Sequence, residues 1–411
     1  MELADFSAHY ARIENETRRA FLGQEDVLAS VLVAIFARGH VLIEGVPGVG
    51  KTLLVRALGK VLGCHFRRIQ FTPDLMPSDV TGSTTYNAQS GVFEFKHGPV
   101  FTHVLLADEI NRAPAKTQSA MLEAMQERSV TVDGVTNPLP RPFFVLATQN
   151  PIESAGTYAL PEAQLDRFLF KLLIDHPPLP VEEAILRSVR DGFDAADLEA
   201  LNLQSMVSPD LVVEMQKAVQ TVRVDDKIIH YIATLVANTR KHRAVHIGAS
   251  PRAAIALLQV GRVEAAVQGR DFVVPDDVKM HGRAVLRHRL ILQPDAEIEG
   301  VTTDEVIQAV LRETQVPGMG ESTRPRTSAL VPPSPEAAIA SVPRVQSSVV
   351  PAQMEVVDRG APPPMAPARP SVPPSASGPS RPAGIAPSVP PASGGAFGTG
   401  TKKPFGRDEE P

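Results

Sequence analysis

The stretch Val41-Leu42-Ile43-Glu44-Gly45-Val46-Pro47-Gly48-Val49-Gly50-Lys51-Thr52-Leu53 decides the fold. Its first three residues are apolar and predict a buried β-strand. A glycine-rich turn follows, and the residues from Leu53 to Val61 are typical of a helix. Glycine, four residues and then Gly-Lys-Thr, placed between a strand and a helix, is the pattern of a phosphate-binding loop. A glycine-rich turn that binds nothing is the alternative, and the flanking strand and helix disfavour it.

The residue types of this loop match what a polyphosphate needs. Glycines let successive backbone N–H groups face one anion, and the start of the next helix adds the positive end of its dipole. Lys51 is expected to reach the β- and γ-phosphates, and the Thr52 hydroxyl to bind Mg²⁺. The predicted nucleotide-binding residues of the loop are Gly45, Val46, Pro47, Gly48, Val49, Gly50, Lys51, Thr52 and Leu53.

The composition of the chain is that of a globular protein. Its 411 residues predict two or three domains, and it is 43% hydrophobic and 21% charged with a formal net charge of -5. No apolar run reaches the roughly twenty residues of a membrane span, and the first residues carry acids where a secretory signal carries bases. The single cysteine, Cys64, excludes an internal disulfide framework. We therefore expect a cytoplasmic protein, and the acidic balance disfavours a nucleic-acid-coating role.

Two further apolar runs end in polar residues. His103 to Ala107 is followed by Asp108-Glu109, and Phe143 to Thr148 is followed by Gln149-Asn150. Strands that alternate with helices predict an α/β fold with a parallel sheet, whose ligands bind at the carboxyl ends of the strands. The phosphate-binding loop, the two acids and Asn150 all lie at such ends, so we expect them to share one site.

The two acids give this site its predicted chemistry. Asp108 is expected to hold Mg²⁺ together with Thr52, and Glu109 to polarise the attacking water as a general base. Asn150 is suited to orient the same water, although an asparagine before Pro151 is also a common turn residue. No Asn-Lys-x-Asp segment for guanine recognition is present, so ATP is favoured over GTP.

Two arginines are candidates for stabilising charge on the γ-phosphate. Arg167 lies in Leu165-Asp166-Arg167-Phe168, and Arg252 opens a predicted helix after Ser250-Pro251. A guanidinium can act on the phosphate from its own subunit or from a neighbour. The residues themselves leave both possibilities open, along with an ordinary surface ion pair.

Composition divides the chain into three regions. Residues 1–180 are predicted to form the α/β core, with N-terminal helices and an inserted β-hairpin within residues 83–95. Residues 181–316 are predicted to form a helical domain, including one helix from Pro275 to Arg289. Roughly half of the chain's 38 prolines follow, and residues 317–411 are predicted to be a disordered Pro/Ser/Ala-rich tail.

Five long motifs together resemble the MoxR family of AAA+ ATPases, over about residues 21–290. They are Gly45 to Thr52, Phe71-Thr72-Pro73-Asp74-Leu75-Met76-Pro77-Ser78-Asp79-Val80, Leu106-Ala107-Asp108-Glu109-Ile110-Asn111-Arg112-Ala113-Pro114, Ala147-Thr148-Gln149-Asn150-Pro151-Ile152-Glu153 and Leu160-Pro161-Glu162-Ala163-Gln164-Leu165-Asp166-Arg167-Phe168.

The resemblance implies a role for individual residues. Asn150 matches the family's sensor-1 position, Arg167 resembles the arginine finger that enters a neighbour's site, and Arg252 resembles the sensor-2 arginine of the lid. Gly23 and Gln24 look like the element beside the adenine. The predicted hairpin is similar to the helix-2 insert of the branch of AAA+ proteins to which MoxR belongs.

The resemblance also implies a function, with two rivals. It implies an ATP-hydrolysing homo-oligomeric ring, usually a hexamer, that remodels, matures or activates a protein complex, often with a partner carrying a von Willebrand factor A domain. A nucleic-acid-associated motor is one alternative, which the net charge of -5 disfavours. A slow ATPase switch, with the tail recruiting partners, is the other.

Overall fold

The computed structural model of the chain describes residues 1–46, 48–150, 158–195, 197–199 and 201–317. The strands in these ranges are β1 (Val41–Gly45), β2 (Phe66–Gln70), β3 (Gly82–Asn87), β4 (Val92–His97), β5 (Val104–Asp108), β6 (Ser129–Val132), β7 (Val135–Pro138), β8 (Phe144–Gln149), β9 (Phe170–Ile174), β10 (Val245–Ile247) and β11 (Ile291–Leu292).

The helices in the same ranges are α1 (Leu3–Arg18), α2 (Glu25–Phe36), α3 (Lys51–Val61), α4 (Pro77–Thr81), α5 (Ala115–Glu127), α6 (Glu162–Leu165), α7 (Leu179–Arg190), α8 (Pro209–Val219), α9 (Asp226–Lys241), α10 (Pro251–Val267), α11 (Pro275–Met280), α12 (Gly282–Leu286), α13 (Pro294–Ile298) and α14 (Thr303–Glu313). A short 3₁₀ turn, Ile110–Arg112, follows β5.

A five-stranded parallel sheet organises the first half of the chain, with its strands in the order β2-β5-β8-β1-β9. The α/β prediction is therefore correct. The outer strand β9 is not among the predicted strands, because Lys171 interrupts its apolar run. That ammonium pairs with Glu44 of the adjacent β1 at 2.8 Å.

Successive side chains of a strand point to opposite faces of a sheet, and both faces of the central strands β1, β5 and β8 are buried. Val41 and Ile43 of β1 lie in one apolar cluster, which also contains residues of α1, α2 and α3. Leu42 lies in a second cluster with Met121 and Leu122 of α5. Three layers result, and the sheet in the middle fixes the positions of its strand ends.

Two hairpins extend from this core. The predicted insert is present as β3 and β4, which pair antiparallel from Gly82 with His97 to Asn87 with Val92. A second hairpin, β6 with β7, turns at Asp133-Gly134, where both residues have positive φ. Asp-Gly is a residue pair that suits such a tight turn, because both positions tolerate positive φ.

Helices predominate after β9, and α10 and α12 pack on α1, α2 and β9. The prediction of one helix from Pro275 to Arg289 is wrong, since α11 and α12 are separated at His281, whose φ is -103° and ψ is 12°. The break buries the imidazole, whose Nε2 lies 2.6 Å from Glu264 Oε1. Gly282 directly after it packs closely against Leu311.

Cys64 is buried after α3, and burial raises the pKa of its thiol to about 12. No helix in the described ranges has the length and apolarity needed to cross a membrane. The predicted disordered tail lies outside the described residues, except for Pro317. The division of the chain at residues 180 and 316 remains a prediction.

Candidate nucleotide-binding site

The phosphate-binding loop joins β1 to α3. Gly50 is the N-cap of α3 with φ 79°, a left-handed conformation that glycine adopts without strain. The Lys51 ammonium donates a hydrogen bond to the Gly45 carbonyl at 2.8 Å. Burial lowers the pKa of Lys51, and the carboxylates of Asp108 and Glu109 act in the opposite direction. Pro47 lies outside the described residues.

A cleft of about 500 Å³ opens beside this loop at the carboxyl edge of the sheet. The predicted residues that line it are Gly48, Gly50, Lys51, Thr52, Leu53, Asp108, Glu109 and Asn150. Gly45 is the last residue of β1 and Val46 follows it, and Val49 packs against the apolar core. The structure thus brings the loop, both acids and Asn150 together at one strand edge, as predicted.

Asp108 has hydrogen-bond partners on both carboxylate oxygens. The Thr148 hydroxyl donates to Oδ1 at 2.6 Å, and Arg68 donates to Oδ2 through Nη2 at 2.6 Å and Nε at 3.1 Å. The Thr52 hydroxyl and the Asp108 carboxylate are hard oxygen ligands of the kind Mg²⁺ prefers. The Arg68 guanidinium lies at Oδ2, which shows that a cation can approach this carboxylate oxygen.

Glu109 has an unusual backbone conformation. Its φ of 57° and ψ of 50° are left-handed, which is uncommon for a residue with a side chain. Its N–H donates to the Thr148 hydroxyl at 2.8 Å. Its Oε2 accepts hydrogen bonds from Gln70 at 2.6 Å and from Arg112 at 3.0 Å. The turn places Glu109 at the border of the cleft.

Asn150 follows β8, and its side chain borders the same cleft. The side-chain amide of Asn111 lies 3.5 Å from the Asn150 carbonyl and anchors this strand end to the turn after β5. Residues 151–157, which carry part of the family-like motif, lie outside the described ranges.

Gly23 and Gln24 lie directly before α2. Gly23 has φ 79°, and a Cβ there would lie only 2.0 Å from a methyl group of Val181, so α7 approaches this backbone closely. The ring of nearby Phe21 lies against Gly50. This segment is therefore joined to the phosphate-binding loop on one side and to α7 on the other.

Arg167 and Arg252 do not line the phosphate-loop cleft. They line a second cleft of about 210 Å³, together with Arg38, Arg128 and Arg289. Arg167 precedes β9, so it lies at the amino edge of the sheet, whereas the loop after β1 lies at the carboxyl edge. A strand of 5 residues separates the two edges by about 16 Å.

Asp166 organises the second cleft. Its carboxylate accepts hydrogen bonds from Arg289 Nε at 2.7 Å and from the Ser250 hydroxyl at 3.1 Å, and Arg252 Nη1 lies 3.9 Å away. Arg289 also donates to the Phe168 carbonyl at 2.7 Å. These contacts hold the start of α10, and so Arg252, next to Arg167.

Several polar residues of these clefts are missed by the sequence analysis, among them Thr148, Arg68, Gln70 and Arg289. Thr148 lies inside an apolar strand, and Arg68 and Gln70 belong to an alternating strand with no recognisable motif. Arg289 lies at the end of a stretch predicted as a plain helix. For Arg68 and Gln70 the sequence carries no local signal, because only the pairing of β2 with β5 in the folded sheet aligns Gln70 with Asp108.

Comparison with known proteins finds two family matches. Residues 40–170 match the ATPase family associated with various cellular activities (AAA), and residues 237–310 match the AAA lid domain. The first range contains the phosphate-binding loop, both acids, Asn150 and Arg167, and the second contains Arg252.

Similarity to individual proteins extends beyond these two ranges. Chaperone MoxR1 of Mycobacterium tuberculosis is 42% identical over 335 residues, which cover 79% of this chain and 86% of MoxR1. YeaC of Bacillus subtilis, a protein without an assigned function, is 46% identical over 74% of this chain and 94% of its own length. The crystal structure of a proposed ATPase from Cytophaga hutchinsonii superimposes with a TM-score of 0.71 at 40% identity, covering 76% of this chain and 96% of that one.

Proposed function

This chain belongs to the MoxR family of AAA+ ATPases, and on that premise we propose that it hydrolyses ATP and couples its nucleotide state to the remodelling, maturation or activation of a protein complex. The observation that carries the proposal is the convergence of Lys51, Thr52, Asp108, Glu109 and Asn150 on one cleft. These are the groups that phosphoryl transfer to water requires.

Each residue of the cleft has a distinct task in this mechanism. Lys51 and the loop amides bind the β- and γ-phosphates, and Thr52 and Asp108 hold Mg²⁺, which neutralises charge on the phosphates when it is bound. Glu109 takes a proton from the attacking water, and Asn150 orients that water. The Lys51 ammonium must leave the Gly45 carbonyl to reach the phosphates.

The second cleft supports a ring in which each ATP is bound between two subunits. Arg167 lies at the opposite edge of the sheet from its own phosphate-binding loop, beyond the reach of its side chain. Its Nε is buried and has no hydrogen-bond partner within the described ranges. A neighbouring subunit that brings its phosphate-loop cleft against this edge would give Arg167 and Arg252 a γ-phosphate to bind. We propose a homo-oligomeric ring, and a hexamer as its size.

Membership of the family supports our proposal for the cellular setting. The homologue from M. tuberculosis is named a chaperone, and we propose a chaperone role here too, in the cytoplasm. A protein with a von Willebrand factor A domain is the proposed partner.

Gly23 and Gln24 are proposed to lie beside the adenine, because Phe21 connects their segment to the phosphate-binding loop.

Mixing two inactive variants tests the shared site. Arg167→Ala removes the proposed arginine finger at the amino edge of the sheet, and Lys51→Ala removes the phosphate-binding ammonium at the carboxyl edge. Each homogeneous ring should therefore have little ATPase activity. In mixed rings, an intact loop of one subunit meets an intact Arg167 of its neighbour, and measured ATP turnover should partly recover.

A second mixture is the matched control. Arg167→Ala and Arg252→Ala lie on the same edge, so no interface in their mixed rings has both arginines, and no recovery is expected. Recovery in the control, or none at any ratio in the first mixture, would count against the ring proposal.

A further inference from the structure

Arg68 occupies the position of a counter-ion in the phosphate-loop cleft. It lies on β2, and its guanidinium donates two hydrogen bonds to Asp108 Oδ2 on β5, at 2.6 Å and 3.1 Å. The same Nη2 donates to Gln70 Oε1 at 2.7 Å, and Gln70 in turn donates to Glu109. One side chain thus connects both acids of the site through β2.

This pairing satisfies Asp108 when no other cation is present. The Asp108 side chain is only 15% exposed, and a carboxylate removed from water is costly unless it is paired. Its Oδ1 is already used by the Thr148 hydroxyl, so Oδ2 is the oxygen left for a cation. Arg68 and a divalent metal would therefore compete for the same atom, and their like charges would also repel each other.

The phosphates of a bound nucleotide would be a second anionic partner for the released guanidinium. Arg68 lines the cleft together with Lys51 and Thr52, where the phosphates of a nucleotide would lie. Its side chain is 47% exposed, so it is free to change conformation without leaving a packed core. Arginine forms strong, charge-assisted hydrogen bonds with phosphate as well as with carboxylate.

We propose that Arg68 exchanges partners during nucleotide loading: it binds Asp108 in the empty site and the phosphates of the nucleotide in the loaded site. This inference rests on the proposed function, since it takes Asp108 as the metal ligand. Arg68 then keeps a divalent metal from occupying the site before the nucleotide arrives. Its departure from Asp108 also removes the hydrogen bond to Gln70, the partner of Glu109.

Two affinities should shift in opposite directions when Arg68 is removed. In Arg68→Gln, Mn²⁺ as a probe for Mg²⁺ should bind the nucleotide-free protein about three- to tenfold more tightly, because its competitor is gone. ADP in the presence of EDTA should bind about three- to tenfold more weakly, because a phosphate partner is gone. Electron paramagnetic resonance measures the first affinity and calorimetry measures the second.

Arg67→Gln is the matched control, since Arg67 is exposed on the same strand and borders neither Asp108 nor the cleft. It should leave both affinities unchanged. Arg68→Lys keeps a cation without the planar fork, and it should fall between Arg68→Gln and the wild type for both ligands. A merely structural role of Arg68 would weaken both affinities together, and thermal unfolding of each variant identifies that case.

Several results would overturn the exchange: unchanged affinities in Arg68→Gln, shifts of the same sign, or no measurable Mn²⁺ binding in that variant. Asp108→Asn separates this failure from that of the proposed function. If Asp108→Asn abolishes Mn²⁺ binding while Arg68→Gln has no effect, Asp108 binds metal and the exchange is wrong. If Asp108→Asn leaves Mn²⁺ binding intact, the metal role of Asp108 is wrong as well.

Discussion

The two edges of the central sheet differ in the charges they carry. At the carboxyl edge, Asp108 and Glu109 face a cleft that also holds Lys51, Arg56 and Arg68, and each acid has close hydrogen-bond partners. At the amino edge, arginines predominate, and Asp166 is the carboxylate among the residues that line the cleft. About 16 Å of strand separates the edges, so they cannot meet within one chain.

This difference is the basis for the proposal of two half-sites rather than two sites. The carboxyl edge has the groups proposed to hold phosphate, bind a metal and activate water, and the amino edge has guanidinium groups that suit a phosphate's developing charge. In the proposed ring, the two edges complement each other between copies of the chain.

The largest expected effect is a loss of ATP turnover on substitution of a residue at the carboxyl edge. Glu109→Gln removes the proposed general base, which contributes roughly 10²–10⁴-fold to the rate, so ATP turnover should fall by that factor while ATP still binds. The exposed Glu127→Gln at the end of α5 is the control and should retain wild-type turnover. Near-normal hydrolysis by Glu109→Gln would show that Glu109 is not the catalytic base.

A smaller effect is expected at the amino edge, where acidification should lower the free energy of unfolding. His40, before β1, is fully surrounded and hydrogen-bonded to the Met125 carbonyl and the Val145 N–H, and burial lowers its pKa to about 4. The unfolded chain takes up this proton near pH 6.5, so stability is fully present above that pH and falls as pH decreases toward 4.

Urea unfolding at pH 7 and pH 5 measures this loss. His40 should contribute about 2 kcal/mol to it, and burial lowers the pKa of His288 as well, which acts in the same direction. His40→Gln, which cannot take up the proton, should reduce the loss by about that amount. An equal loss in wild type and variant would mean that His40 does not make this edge pH-sensitive.

The smallest effect on stability is expected from Asp166, which holds the arginines of the second cleft in place. Asp166→Asn removes the charge that pairs with Arg289, whose side chain is only 4% exposed, although Arg289 keeps its bond to the Phe168 carbonyl. The free energy of unfolding should fall by about 1–2 kcal/mol. Asp191→Asn breaks an exposed ion pair with Arg190 and should change it by less than about 0.5 kcal/mol. Equal losses in the two variants would show that Asp166 is no more than a surface partner.

The carboxyl edge could be predicted from sequence because its signals are local. A glycine-rich loop between a strand and a helix, and acids directly after apolar runs, place Lys51 and Asp108 without knowledge of the tertiary structure. The Asp133-Gly134 turn is local in the same sense, since a turn selects residues that tolerate positive φ.

The amino edge could not be predicted in this way. The position of Arg167 depends on β9 lying beside β1, and the contacts of Asp166 with Ser250 and Arg289 join residues more than 80 positions apart. Arg68 and Thr148 reach Asp108 only through strand pairing. The break at His281 depends on its partner Glu264 on another helix, which outweighs the local preference for a continuous helix.

The buried thiol of Cys64 has a practical consequence for labelling. With its pKa raised to about 12, almost none of it is thiolate at neutral pH, and the thiolate is the form that reacts with maleimides and disulfides. The chain has no other cysteine. A cysteine introduced at an exposed position on either sheet edge would therefore be modified selectively, without prior removal of the native residue. The wild-type sequence is already a suitable background for attaching a fluorophore or a spin label to each edge in turn.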